Sequence, residues 1–110
     1  MAASPLNLTI EQGVDFEITI TVRNKNNVPL NLLGYSAESE VRKHYSSTTS
    51  RPFTVTFVDR QNGRISLSMP HGVTQTLSEG RYVYDIILIS SNQLRTRVIQ
   101  GTVLVSPGVS

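Results

Sequence analysis

The sequence predicts an all-β, antiparallel sandwich of about seven strands, and three observations carry that expectation. Apolar and polar residues alternate at a period of two along most of the chain, the pattern of strands with one buried and one wet face. The alternating runs recur at intervals of roughly 8–15 residues, separated by Asn, Gly, Ser and Pro, and no segment carries a helical period, which favours a sandwich over a parallel α/β fold. At 110 residues, the chain is long enough to close one hydrophobic core and too short for two, so residues 1–110 form a single domain.

Leu6 to Glu11 sets Leu6, Leu8 and Ile10 against Asn7, Thr9 and Glu11 and reads as the first strand. Asp15 to Arg23 follows with the cleanest alternation of all, Phe16, Ile18, Ile20 and Val22 on one side and Glu17, Thr19, Thr21 and Arg23 on the other. Asn24 to Asn27 tolerates positive φ and bonds its own backbone, which makes it a turn. Val28 to Gly34 is short and apolar, and Pro29 cannot donate to a ladder, so this stretch fits an edge crossover. Tyr35 to Lys43 is the third strand, with Tyr35, Ala37, Ser39 and Val41 inward.

Tyr45 to Ser50 is rich in Ser and Thr without an apolar period and reads as an exposed loop. Phe53, Val55 and Phe57 alternate with Thr54 and Thr56 in the fourth strand, and Asn62-Gly63 then signals a hairpin into Ile65, Leu67 and Met69 of the fifth. Pro70 to Leu77 has no strand pattern and room for one helical turn. Arg81 to Ile89, with Tyr82, Tyr84, Ile86 and Leu88 in register, is the sixth strand, and Ser90 to Gln93 leads into the seventh, Leu94 to Val105. Short flexible tails are expected at 1–5 and 106–110, ordering on assembly.

The chain has no cysteine, which excludes disulfides, thiolate zinc sites, iron–sulfur clusters and cysteine nucleophiles. Its start lacks the basic and apolar regions of a secretory signal, and no apolar run approaches the ~20 residues of a membrane span, so synthesis in the cytoplasm and no membrane partner are expected. The net charge of +2 is scattered. Arg42, Lys43, His44 and Arg51 cluster around the Ser/Thr loop with only Tyr45 for base stacking, so they read as solvated surface and no nucleic-acid partner is expected.

His44 and His71 lack an acidic or second histidine partner at ligand spacing, which makes both bland surface residues with no metal and no cofactor. No Gly-x-Ser-x-Gly elbow or phosphate-cradling loop exists, and Asp15, Asp59 and Asp85 sit where caps and hairpin bonds explain them. Asn7-Leu8-Thr9 matches a glycosylation acceptor but means little without a secretory signal. A catalytic role is therefore not expected.

Ser78-Glu79-Gly80-Arg81-Tyr82-Val83-Tyr84 resembles the tyrosine-corner approach to a strand of immunoglobulin-like domains, with Tyr82 as the corner. Tyr84 falls where antibody domains place a cysteine, which excludes a true antibody-type domain and leaves an immunoglobulin-like antiparallel β-sandwich. A broader resemblance runs through Leu8 to Gly13, Asp15-Phe16, Val28 to Tyr35, Val41 to Lys43, Ile65 to Met69, Gly80 to Asp85 and Gly101 to Pro107. These blocks are similar to small phage virion proteins related to baseplate and tail immunoglobulin-like modules, among them upper-baseplate adaptor domains and structural proteins of T-even-like cyanophages.

That resemblance implies a non-enzymatic virion subunit of the tail, baseplate or neck, whose partners are other phage structural proteins and copies of itself. A capsid decoration (cement) protein is the alternative. A host-surface or carbohydrate-binding module would need exposed aromatics, whereas Phe16, Phe53, Phe57, Tyr82 and Tyr84 look committed to the core. No functional residue carries over, because the shared blocks are turn and core positions.

One pattern stands apart. The sixth strand is apolar on both sides, with Val83, Ile87 and Ile89 opposite its inward set, and the last strand carries Val98 and Leu104 opposite Ile99, Val103 and Val105. If the two strands are neighbours, Val83, Ile87, Ile89, Val98 and Leu104 form an outward apolar patch. Burying such side chains is worth about 1.5–3 kcal/mol each, so the patch is expected to be a subunit interface. The competing expectation is that the chain covers it with its own termini or the Pro70 to Leu77 loop.

Overall fold

In the computed structural model, which describes residues 4–24, 26–44 and 50–107, two β-layers enclose one core. The strands are β1 (Ser4–Pro5), β2 (Leu8–Glu11), β3 (Phe16–Thr21), β4 (Ser36–Arg42), β5 (Ser50–Asp59), β6 (Arg64–Met69), β7 (Gly80–Ile89) and β8 (Arg95–Ser106), with a single helical turn, α1 (His71–Thr74), between β6 and β7. The strand path is β1-β8-β7-β4-β5-β6-β3, and β2 also pairs with β8. One layer is therefore β2 and β1 beside β8, β7, β4 and the start of β5; the other is the rest of β5 with β6 and β3. All pairs are antiparallel except those of β1 and β2 with β8, and the protein is an immunoglobulin-like β-sandwich.

β5 joins the layers: Ser50 to Phe53 pair with β4, and Thr54 to Asp59 pair with β6. Pro52, which has no N–H for a second neighbour, sits just before this switch. Phe53 at the corner holds both sides, 5.7 Å between ring centroids from Phe16 of one layer and 6.0 Å from Tyr84 of the other. Around it pack Ile10, Val41, Ile86 and Val103 from the first layer and Ile20, Ile65, Leu67 and Met69 from the second, all buried. The inward expectations for β4 hold, and Ser39, the polar member, satisfies its hydroxyl by donating to the Asp85 carbonyl at 2.5 Å.

The structure differs from the sequence reading at both ends. The first strand begins earlier and is broken in two at Leu6 and Asn7, where the chain lies against Gly101 of β8. A Cβ at 101 would lie 2.8 Å from the Leu6 carbonyl carbon and closer still to its oxygen, so only glycine admits the crossing. The Tyr84 hydroxyl donates to that same Leu6 carbonyl at 2.7 Å, and the Thr102 N–H donates to Asn7 Oδ1 at 3.1 Å. Ser4 and Pro5 are paired with Ile99 and Gln100, and Ser106 with Glu11, so the expected tails at 1–5 and 106–110 lose these residues to the sheet. Residues 1–3, 108–110, Lys25 of the expected turn and 45–49 of the expected Tyr45 to Ser50 loop lie outside the described residues, while Ser50 belongs to β5.

The Asn62-Gly63 hairpin also takes another form. Arg60–Asn62 make a 3₁₀ turn, and Gly63 alone takes positive φ, at 69°. The Arg60 guanidinium stacks on Phe57 at 3.8 Å and donates to the carbonyls of Leu32 and Tyr35 at 3.2 and 2.7 Å, tying this turn to the crossover that plugs buried Leu32 into the core. The helical turn expected in Pro70 to Leu77 is α1.

Candidate functional site

The outer face of the β4-β7-β8 layer is where the apolar excess of the sequence should surface, and its residues fall into rows by register. From one end to the other these are Ser36, Ile89 and Arg95; Glu38, Ile87 and Arg97; Glu40, Asp85 and Gln100; and Arg42, Val83 and Thr102. β7 thus supplies a mostly apolar middle stripe, β4 an acidic one and the start of β8 a basic one. The face is a shallow depression of about 490 Å³.

Charge pairs bridge it. Arg97 Nε donates to Asp85 Oδ2 at 2.8 Å, Arg42 donates to Glu40 Oε2 at 2.6 Å, and Arg95 reaches across β7, between Ile87 and Ile89, to Glu38 Oε1. Three cations meet three anions here, so the face is neutral although the chain carries +2.

Of the five residues expected in the patch, Val83, Ile87 and Ile89 are on this face and half-buried. Val98 is not: it is 5% exposed and belongs to the core. The reason is a β-bulge, since Ile86 pairs with Ile99 but Ile87 pairs with Arg97, leaving Val98 unopposed and turned inward beside Ile99. Leu104, 49% exposed, stands one row beyond Val83 between Arg81 and Thr9. The patch is therefore a narrow stripe with charged flanks rather than a broad apolar surface. The flanking Glu38, Glu40, Arg42, Arg95 and Arg97 were missed as a set; their alternation on β4 and β8 was visible, but which of them share a row depends on register.

The tyrosine corner is present, with the Tyr82 hydroxyl donating to the Ser78 carbonyl at 2.8 Å. The basic cluster disperses into separate contacts: Arg42 on Glu40, Lys43 over the Tyr82 ring at 4.7 Å, and Arg51 on Thr76 Oγ1 at 3.2 Å. His44 is exposed two residues past the end of β4.

His71 is exposed, as the sequence implies, and the fold brings it an acidic partner that sequence spacing does not show. Asp15 Oδ1 accepts the His71 backbone N–H at 2.6 Å and lies 2.9 Å from Nδ1. The backbone bond first, then the ring, hold the Asp15 carboxyl below its ordinary value. Buried Thr74 completes this junction, its hydroxyl accepting the Gly13 N–H at 3.1 Å and donating to the Val14 carbonyl at 3.0 Å, while Gln12 Nε2 donates to the Leu77 carbonyl at 2.6 Å. The group fastens the β2–β3 turn to α1. Asp59 accepts from Asn62 Nδ2 at 2.8 Å, the hairpin bond expected of it, and that bond lowers its carboxyl. Among the described residues no three His, Cys, Asp or Glu side chains converge as a metal site, and no helix is long and apolar enough to cross a membrane.

No family model and no curated protein matches the sequence. Among solved structures, the chain is similar to the Lin-41 filamin domain at 19% identity and a TM-score of 0.49, covering 91% of this chain and 84% of that one. It is also similar to murine CRIg, at 13% identity and a TM-score of 0.42 over 94% of this chain and 92% of that one. An internalin-like protein of Listeria monocytogenes matches at 15% identity and a TM-score of 0.48, over 96% of this chain and 28% of that one.

Proposed function

We propose that this chain is a non-enzymatic structural or adaptor subunit of a phage particle, in the tail, baseplate or neck, that works through protein contacts on the outer face of β4, β7 and β8. The phage assignment rests on the sequence blocks, from Leu8 to Gly13 through Gly101 to Pro107. The observation that carries the mode of action is the face itself: an apolar stripe of Val83, Ile87 and Ile89 flanked by paired charges, the composition of an interface core with a polar rim.

Its chemistry suits contact better than catalysis. The carboxylates of this face are each matched to an arginine, leaving none poised as acid or base toward a common point. A carbohydrate-binding role is disfavoured because Phe16, Tyr35, Phe53, Phe57, Tyr82 and Tyr84, the aromatics among the described residues, are all buried or half-buried. A capsid decoration protein would use the same face at another place in the particle.

The reading is tested by quantitative peptide mass spectrometry on purified virions of the phage that encodes the chain, with sub-particle fractionation. The expected result is a fixed copy number in tail, baseplate or neck fractions. Recovery from infected cells but not from particles would refute it.

A further inference from the structure

Resting on the reading of this face as an assembly surface, we infer that its occupant is a second copy of the same chain, related by a two-fold axis running along β7. The row of Glu38, Ile87 and Arg97 carries this. At its level the sheet runs acidic on β4, apolar on β7 and basic on β8, while the next two levels run Glu40, Asp85 and Gln100, then Arg42, Val83 and Thr102. Rotation by 180° about an axis parallel to β7 lays β4 of one copy over β8 of the other and keeps each row over its own level. Glu38 then faces Arg97 of the second copy, Arg97 faces its Glu38, and Ile87, in the same row, meets itself on the axis; one level on, Asp85 also meets its own copy, each carboxylate held by the Arg97 of its own chain. Rotation about the perpendicular in-plane axis would stack β4 on β4, with Glu38 and Glu40 against each other.

The pairs within one chain leave room for this. Arg97 engages Asp85 through Nε, and Glu38 engages Arg95 through Oε1, so these two bonds use neither the Nη groups of the first nor Oε2 of the second. A guanidinium with five donors serves two carboxylates readily. A neutral face has no general attraction for an acidic or a basic partner, whereas its Glu38–Ile87–Arg97 row matches its own two-fold image. Face-to-face sheets pack with strands within about 30° of parallel, which this axis produces.

Over the seven levels of β4 the layer comprises β4, the facing parts of β7 and β8, Ser50 to Phe53 of β5 and Ser4 and Pro5 of β1. At about 4.8 Å between strands and about 3.3 Å per residue this offers roughly 430 Å² per copy, about 850 Å² in total, the size of a weak, reversible interface.

The test is sedimentation equilibrium on the intact chain. Wild type is expected to dimerise reversibly, and Ile87→Lys, which sets two ammonium groups together on the axis, is expected to be monomeric. Glu38→Arg and Arg97→Glu, each alone, place like charges opposite one another twice and are expected to weaken the dimer at least about tenfold. An equimolar mixture of the two is expected to restore it to within about threefold of wild type, because the arginine introduced at 38 faces the glutamate introduced at 97 and the remaining native pair is intact. Unchanged thermal midpoints establish that the three substitutions leave the fold alone.

A wild-type chain that is monomeric up to about 500 µM overturns the inference, as does a dimer that ignores all three substitutions or a mixture that stays monomeric. Particle analysis of the same variants separates the two proposals. A monomeric wild type whose Ile87→Lys variant is lost from particles leaves the assembly reading standing with a different partner. A two-fold dimer in solution that no particle contains leaves the self-association standing and removes the virion role.

Discussion

Replacing Gly101 with alanine tests the crossing of the N-terminal segment over β8, and there backbone preference and sterics predict opposite signs. Gly101 does not have positive φ, so alanine in this strand should by itself stabilise the protein by roughly 0.5–1 kcal/mol. Its Cβ, however, would meet the Leu6 carbonyl group and come within 3.1 Å of Asn7 Oδ1, and a backbone carbonyl cannot swing aside as a flexible side chain would. When Leu6 is displaced, the buried Tyr84 hydroxyl loses its acceptor, which costs about 1–3 kcal/mol, and the Leu6 N–H bond to the Gln100 carbonyl, worth about 1 kcal/mol, goes with it. The net expectation is a loss of about 1–3 kcal/mol, or a thermal midpoint lowered by about 4–12 °C in a domain of this size. Urea titration of Gly101→Ala, Tyr84→Phe and the double variant measures it. The double variant should lose less than the two single losses combined, because both remove the same bond. A Gly101→Ala protein as stable as wild type, or fully additive losses, would show that the crossing does not work through the Leu6 carbonyl.

The bulge is checked by comparing Val98→Asp with Leu104→Asp: the first buries a charge in the core and is expected to cost more than about 3 kcal/mol, the second to stay within about 0.5 kcal/mol, and equal losses in urea would contradict the assignment of faces. Tyr82→Phe removes the corner bond to Ser78 and is expected to lower stability by about 1 kcal/mol. Asp15 is lowered in the folded state, so its contribution is present above its unfolded pKa and lost as pH falls through the lower folded value. Asp15→Asn should abolish that part of the acid limb of a pH–stability curve, and an unchanged acid limb would refute it. Burial raises the Tyr84 phenol to about 12, so its contribution holds below its ordinary pKa near 10 and declines as pH rises toward 12. Phenolate absorbance should show one late-titrating tyrosine that disappears in Tyr84→Phe.

Much of the fold is legible because strand periodicity is local. Phe16 to Val22, Ile65 to Met69 and Tyr82 to Leu88 alternate so regularly that their inward faces follow from the sequence, and Ser39 is placed inward by its apolar neighbours at 37 and 41 despite its hydroxyl. Tyr82 is legible for a different reason: Gly80, two residues before it, takes φ of 138°, and the corner bond spans only four residues. What is not legible depends on distant partners. Asp15 and His71 are 56 residues apart in sequence, and neither has a local pattern that points to the other. The passage of β5 between layers depends on which neighbour is available after Phe53, and the break between β1 and β2 on a glycine 94 positions away from Asn7.

The bulge at Val98 was hidden because the inserted residue is apolar and so is its successor, so strict alternation counted back from Val105 places Val98 outside. That count also sends Arg97 and Arg95 into the core, a physical conflict present in the sequence itself, since two unpaired guanidinium groups are not tolerated there. One extra residue resolves it by turning Val98 inward and both arginines outward. The position of the insertion matters as much as its presence. It falls just before Ile99, where β1 begins to pair, so Val98 and Ile99 together line the space between Pro5 and Leu6 on one side and Ile20 and Val22 on the other. Because the N-terminal segment pairs with β8 and not with β3, no strand among the described residues closes this side of the sandwich, and two successive inward residues line it where strict alternation would supply one. The same shift sets Arg97 level with Glu38 and Ile87, the row proposed above to meet its own rotated copy. Packing at the open side of the core and charge order on the outer face are thus two results of one inserted residue.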